Sequence, residues 1–281
     1  MRHFGRLGVA TLVAAALGTV TLVTVAPAAA VPAWAPAGTA TIHPGVQVRS
    51  SAGQCTANFV FYDSDDVFIG QAAHCTSTGG PTDTNGCEAT SLPLGTPITI
   101  TGASQPGTLA YNSWIAMDEW GETDANACAY NDFALVRIDP ADWGRVNPSV
   151  PHWGGPVGMG TGSAPLGQRV YSYGNSSLRL GLTVLSPKTG LSLGSTGGGW
   201  STNVYTVTPG IPGDSGSGFL DRSGRAMGVL STVQLAPLVG ANGVGNLALE
   251  LAYRNIGVPA DPVQLASGTE PFTPNRLPLG L

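Results

Sequence analysis

Short runs of apolar residues, four to eight long and broken by turn formers, organise most of the chain after residue 41. Gln54 to Phe61 reads as a strand, Asp63-Ser64-Asp65-Asp66 as a turn, and Val67-Phe68-Ile69-Gly70 as the returning strand. Pro97 to Ile100 and Thr108 to Tyr111 continue the pattern, and Asp132 opens an apolar run from Phe133 to Ile138. A glycine-rich stretch from Gly154 to Gly162 then separates two halves. Beyond it, Arg169–Gly174, Leu178–Val184, Val204–Val207 and Ala226–Ser231 read as strands. Only Leu247 to Ile256 carries a helical spacing, and its beginning suits a strand equally well. Many short strands at regular turn spacing predict an all-β sandwich or barrel.

Composition narrows the picture. Charged residues make up 10% and apolar residues 42% of 281 positions, with 40 glycines and 22 prolines. This is a composition of tight turns around a core rather than of a disordered chain. A net charge of −5 gives no electrostatic footprint for nucleic acid. Residues 1–30 read as a secretion signal: Arg2 and Arg6, an uncharged stretch from Leu7 to Val25, then Ala28-Ala29-Ala30. A membrane anchor is the rival reading of that stretch. Residues 31–40, rich in Pro and Ala, read as a short propeptide or flexible start, and 259–281 as a Pro-rich tail lying extended on the surface or mobile.

Four cysteines, Cys55, Cys75, Cys87 and Cys128, follow the signal. An even number in an exported chain favours two disulfides, for which three pairings are open. A metal site is disfavoured, since no pair has the C-x-x-C spacing and no histidine pair accompanies them.

Three local sequences carry chemistry. In Gly213-Asp214-Ser215-Gly216-Ser217-Gly218, glycines on both sides of a serine let a carbonyl approach its hydroxyl and leave backbone N–H groups free for an oxyanion. Upstream lies Ala72-Ala73-His74-Cys75, and between them Asn131-Asp132-Phe133-Ala134-Leu135-Val136. A serine hydroxyl needs a base. An imidazole titrates near neutrality and can take and return its proton. An aspartate at the head of a buried run is costly unless paired. Asp63, Asp83, Asp118 and Asp124 are rivals for the orienting acid, but they sit in polar, turn-like surroundings.

In order and local context these motifs resemble the chymotrypsin-like (trypsin-fold) serine proteases, most of all their secreted bacterial branch, over about Gly53 to Leu251. The resemblance implies two packed six-stranded antiparallel β-barrels with the active site in the cleft between them. The N-terminal barrel, 41–153, would carry His74 and Asp132, and the C-terminal barrel, 154–258, Ser215. It implies His74 as base, Asp132 as orienter, Ser215 as nucleophile, and the N–H groups of Gly213 and Ser215 as the oxyanion hole. It favours the pairing Cys55–Cys75 and with it Cys87–Cys128. In family members activated by cleavage, the aspartate matching Asp214 pairs with a new N-terminal ammonium. No Ile-Val-Gly-Gly start occurs here, so Asp214 finds another partner, a different terminus, or its own loop.

For substrate binding the resemblance points to Pro209, Gly210, Ser231 and Val233. Pro209 stands where trypsin-like enzymes carry an aspartate, which argues against Arg or Lys before the scissile bond and for small or apolar residues. The expected protein is therefore a secreted, extracellular serine endopeptidase, monomeric, acting on peptides or proteins without a cofactor. It would have no nucleic-acid partner and no membrane attachment after signal cleavage. A protease-fold peptide-binding protein without turnover is the alternative.

Overall fold

Most of the short apolar runs become strands because each can bury a side against a neighbour. The computed structural model describes Met1 and residues 31–80, 84–160, 162–233 (Val233 by its backbone alone) and 240–277. The body of the expected signal and Asp83 lie outside the described residues. The hairpin read between Gln54 and Gly70 forms as β2 (Gly53–Thr56), continuing as β3 (Val60–Tyr62), and β4 (Val67–Gln71). Phe61 lies opposite Phe68 and Val60 opposite Ile69. Asp63 makes the turn by accepting the N–H groups of Asp65 and Asp66 on one carboxylate oxygen, a local bond that favours reversal of the chain.

The N-terminal sheet adds β1 (Gln47–Ser50), β5 (Pro97–Ile100), β6 (Gly107–Asn112) and β7 (Ala134–Arg137). With β14 (Gln264–Leu265) at its edge, its strand order is β14-β3-β4-β7-β6-β5-β1-β2. Because β2 and β3 are consecutive stretches of one bent segment, the row must curl round on itself. The C-terminal half holds β8 (Arg169–Tyr173), β9 (Pro187–Thr196), β10 (Ser201–Thr206), β11 (Gly218–Leu220), β12 (Ala226–Val233) and β13 (Asn242–Asn246). These six close into a barrel in the order β10-β13-β12-β11-β8-β9. The all-β, two-sheet architecture agrees with the sequence expectation.

Strands β1, β9, β11 and β13 add to the sequence reading, and other regions depart from it. Residues 178–184 are not a strand but two 3₁₀ turns, Ser177–Arg179 and Thr183–Leu185. Their alternating leucines point outward, with Leu178, Leu180 and Leu182 exposed, while the lone cation Arg179 turns inward. Two helices, α1 (Ser113–Trp120) and α2 (Ala125–Tyr130), interrupt the N-terminal half, each started by a side chain that accepts two backbone N–H groups, Asn112 and Asp124. Leu247 to Ile256 takes the helical option, as α3 (Leu247–Gly257) capped by Asn246.

The tail does more than lie on the surface. β14 (Gln264–Leu265) adds an edge strand to β3. Val263 and Ala266 beside it are buried, and Phe272 packs edge-on against Tyr171 of β8. At the other end, Trp34 packs against Tyr62 and the Ala35 N–H meets the Val146 carbonyl. Both disulfides favoured by the resemblance form, Cys55–Cys75 and Cys87–Cys128, with separations of 20 and 41 residues. Loops of that size restrain the unfolded chain by about 3 to 4 kcal/mol each.

Candidate active site

His74 stands on a 3₁₀ turn, Ala73–Thr76, directly after β4. Ala72 and Ala73 are fully buried behind it, and Cys75 ties the turn to β2. Asp132 precedes β7, which pairs with β4, so the strand ladder brings the two residues together from 58 positions apart. One Asp132 oxygen accepts the His74 backbone N–H at 2.9 Å. The other lies 2.7 Å from Nδ1 of the ring. Against a carboxylate, Nδ1 carries the proton, which leaves Nε2 as the basic nitrogen. Ser231, on β12 of the other barrel, donates its hydroxyl to the same Asp132 oxygen at 2.5 Å.

These contacts decide the charges. Burial pushes the Asp132 carboxyl up, but the neighbouring imidazole and the bonds from His74 and Ser231 outweigh it and hold the group below its ordinary value. Burial pushes His74 down, and the Asp132 carboxylate outweighs that, so the ring sits above 6.5. The imidazole remains about a quarter exposed, at 26% of its side-chain surface.

Ser215 lies on the loop between β10 and β11, where two glycines are required. Gly213 has φ +95°, and a Cβ there would fall 2.5 Å from the Gln54 side-chain oxygen. Gly216 has φ +87°, and a Cβ there would fall 2.6 Å from the Thr56 carbonyl. Both conformations belong to glycine, and both let the loop press against β2. Thr56 N–H then donates to the Ser215 carbonyl at 2.8 Å, and Gly216 N–H to Leu230 at 2.7 Å.

The peptides on both sides of Gly213 are fixed by hydrogen bonds to their carbonyls. The Pro212 carbonyl accepts the Ser176 hydroxyl at 2.5 Å. In a trans peptide the next N–H points the opposite way, so the Gly213 N–H is turned from Ser176. The Gly213 carbonyl accepts Thr56 Oγ1 at 2.7 Å and Gln54 Nε2 at 3.0 Å.

Asp214 finds its partners inside the barrel. Arg179 approaches both carboxylate oxygens in a fork, and Lys188 of β9 stands 3.0 Å from one of them. The Asp214 and Lys188 side chains are fully buried and Arg179 nearly so. The carboxylate also accepts the N–H groups of Ser176 and Ile211. Burial pushes the Asp214 carboxyl up, and the two cations and the guanidinium bond hold it below its ordinary value. Of the partners considered for Asp214, the structure shows side chains from elsewhere in the chain, with its own loop contributing one N–H.

A cleft of about 860 Å³ runs between the two halves, lined among others by His74, Asp132, Gly213, Ser215, Ser231 and Trp114. The Ser215 hydroxyl makes no hydrogen bond to the ring in this arrangement. Such bonds often tighten only when substrate is seated. Of the residues expected to hold substrate, Ser231 lines the cleft but spends its hydroxyl on Asp132. Pro209 and Gly210 lie outside the lining. The Pro209 carbonyl takes Lys188 Nζ at 3.0 Å, and Gly210 is packed against Asn242. Ile211, Pro212 and Thr232 form the wall instead. Val233 pairs through its backbone with Asn242, and its side chain lies outside the described residues. Among the described residues one group has metal-ligand closeness, Cys55, His74 and Cys75. Its two sulfurs are bonded to each other, which leaves no thiolate for an ion.

Sequence reasoning missed Arg179, Lys188, Gln54, Trp114 and Glu250. Lone charges within apolar runs, Leu-Arg-Leu and Leu-Glu-Leu, were the available signal for two of them.

No family model and no curated protein matches this chain. Solved structures do. Protease A of Thermobifida fusca superposes with a TM-score of 0.51 at 19% identity, over 81% of this chain and 99% of that one. A Nocardiopsis protease gives 0.48 at 19% identity, over 80% and 98%. A glutamic-acid-specific serine protease gives 0.49 at 15%, over 80% and 100%. The chain has the two-barrel fold of the chymotrypsin-like serine proteases.

Proposed function

We propose that the protein is a secreted serine endopeptidase that cleaves peptide bonds through an acyl-enzyme, with no preference for Arg or Lys. The observation that carries this reading is the 2.7 Å contact between His74 Nδ1 and Asp132, made on the wall of a cleft that Ser215 also lines. In this mechanism Ser215 Oγ attacks the scissile carbonyl and its proton passes to His74 Nε2. Asp132 stabilises the imidazolium so formed. The Gly213 and Ser215 N–H groups take the oxyanion, and His74 then protonates the departing amine. Water attacks the acyl-enzyme by the same route and releases the acid.

The described lining of the cleft is uncharged apart from His74 and Asp132, which supports a small or apolar residue before the scissile bond. Because Asp214 is held by Arg179 and Lys188, the nucleophile loop needs no ammonium from a cleaved terminus to keep its shape. Two disulfides suit an oxidising compartment. Among the described residues no helix is long and apolar enough to cross a membrane.

The test is labelling of the folded, processed protein with a fluorophosphonate and, on a separate unlabelled sample, digestion of a peptide library. Stoichiometric labelling that needs both Ser215 and His74, with cleavage after small or apolar residues, is the expected result. Absence of both labelling and cleavage would replace this reading by that of a peptide-binding protein.

A further inference from the structure

Behind the Asp132 carboxylate lies a second acid that the proposed chemistry does not use. Glu250, in the first turn of α3, is fully buried. Its Oε1 accepts the Asp132 backbone N–H at 3.3 Å, and its Oε2 has no hydrogen-bond partner. Room for the carboxyl is made by Gly245 of β13, where a Cβ would fall 2.2 Å from Oε1. Tyr111 of β6, near enough to feel the Glu250 charge, also has a buried hydroxyl without a partner. A buried polar group is costly to leave half-satisfied, so an acid kept here without a full set of bonds calls for a role.

We propose that Glu250 is a positioning residue for the triad aspartate, its carboxyl oxygen seating the Asp132 main chain so that the carboxylate meets His74. The inference rests on the endopeptidase reading for its meaning, though not for its measurement. The N–H of Asp132 and the carboxylate of Asp132 are parts of one residue. Anchoring the first from α3 fixes the direction of the second. Helix α3 thus supports a catalytic pair that otherwise belongs to β4 and β7.

The charged and titratable groups around Glu250 set its state. Burial and the Asp132 charge both push its carboxyl well above 4.5. Tyr111 faces it from β6, Tyr253 and Arg254 stand on its own helix, and His74 lies beyond Asp132. None of these bonds to the Glu250 carboxyl. A neutral acid accepts the Asp132 N–H without adding a second negative charge behind the triad, and glutamine can do the same.

The test compares Glu250→Gln and Glu250→Leu. Kinetics are read as kcat and KM across pH, and the triad by the far-downfield proton resonance of the His74 Nδ1–H···Asp132 bond. Glu250→Gln is expected to keep kcat within about twofold and to keep the resonance with its pH titration. Glu250→Leu is expected to lower kcat on the order of 10- to 100-fold, as small misplacements do, with little change in KM and a shifted or broadened resonance. A third readout is thermal stability. The folded-state value of Glu250 is raised, so its contribution is complete below 4.5 and is lost as pH rises from there through the folded-state value. Glutamine, which has no proton to lose, is therefore expected to gain in Tm over wild type progressively above pH 4.5 and to match it below.

Equal kcat and an unaltered His74 resonance in Glu250→Leu would overturn the proposal, as would a Glu250→Gln protein damaged as badly as the leucine variant. If the leucine variant does not fold, loss of the resonance in Glu250→Gln overturns the proposal and its retention, with the pH-dependent gain in Tm, supports it. A wild-type protein that neither labels nor cleaves would defeat the endopeptidase reading, while the resonance would still decide the part played by Glu250.

Discussion

The two halves of the molecule hold their share of the candidate site by different physics. On the N-terminal side, His74 and Asp132 are joined by short hydrogen bonds across paired strands, with a disulfide at the next residue. On the C-terminal side, the loop bearing Ser215 is held by a buried ion cluster, Arg179, Lys188 and Asp214, with two cations on one carboxylate. Hydrogen bonds between groups on a rigid ladder survive loss of one member with the ladder intact. A buried ion cluster does not, because removing one charge leaves others desolvated and unpaired. Chemistry and stability should therefore separate in the first half and move together in the second.

The largest expected effect lies where the halves meet. Ser215→Ala and His74→Ala should each lower kcat by about 10⁶-fold, and the double variant should add little, since the groups act as one unit. Single-turnover assays with an activated ester would resolve the residual rate. Strictly additive losses would mean that the two residues do not share a step. Asp132→Asn comes next. It should cost about 10⁴-fold in kcat by favouring the wrong ring tautomer, with a Tm close to wild type.

Asp214→Asn tests the other half. It strands Arg179 and Lys188 without a counter-charge, and breaking such a group typically costs about 3 to 5 kcal/mol. Urea unfolding should show that loss, and fluorophosphonate labelling of Ser215 should fall with it. Arg179→Met should be milder, since Asp214 keeps Lys188 at 3.0 Å. If Asp214→Asn leaves stability unchanged, the contrast between the halves fails.

The same contrast governs what could be read in advance. His74, Asp132 and Ser215 each announce themselves by their immediate neighbours, because small alanines, a buried strand and flanking glycines are local demands. Strands β2 to β8, β10 and β12 were legible for a similar reason, apolar residues recurring between turn formers, whereas β1, β9, β11 and β13 were not, being short or rich in Gly, Ser and Thr. The partner of Asp214 was not legible. It depends on Arg179 turning inward from a segment whose leucines alternate like a strand yet face solvent. Nor were α1 and α2. Their starts rest on Asn112 and Asp124, polar residues that serve turns as well as helix caps. Ser231 shows the limit from the other side: its segment was expected to pair with substrate backbone, but the bond its hydroxyl makes to Asp132 had no signal in the sequence.

Ser231 also provides the smallest and sharpest test. Its hydroxyl is a donor from the C-terminal half to the Asp132 carboxylate of the N-terminal half. A hydrogen bond to a charged group contributes about 1.5 to 3 kcal/mol, so Ser231→Ala should lower kcat by roughly 10- to 100-fold at most. The direction of the pH effect follows from the charges. Without the hydroxyl, the Asp132 carboxylate is less well neutralised and attracts the imidazolium more strongly. The His74 value, already above 6.5, should rise further. Activity requires the neutral ring, so it should fall away at a higher pH than in wild type as the solution is acidified. A hydroxyl whose main contact were the substrate would act otherwise: KM would rise and the acid limb would stay in place. A pH series of kcat and kcat/KM on one substrate separates the two, and an unmoved limb with a raised KM would return Ser231 to substrate binding and leave the Asp132 carboxylate to partners within its own half.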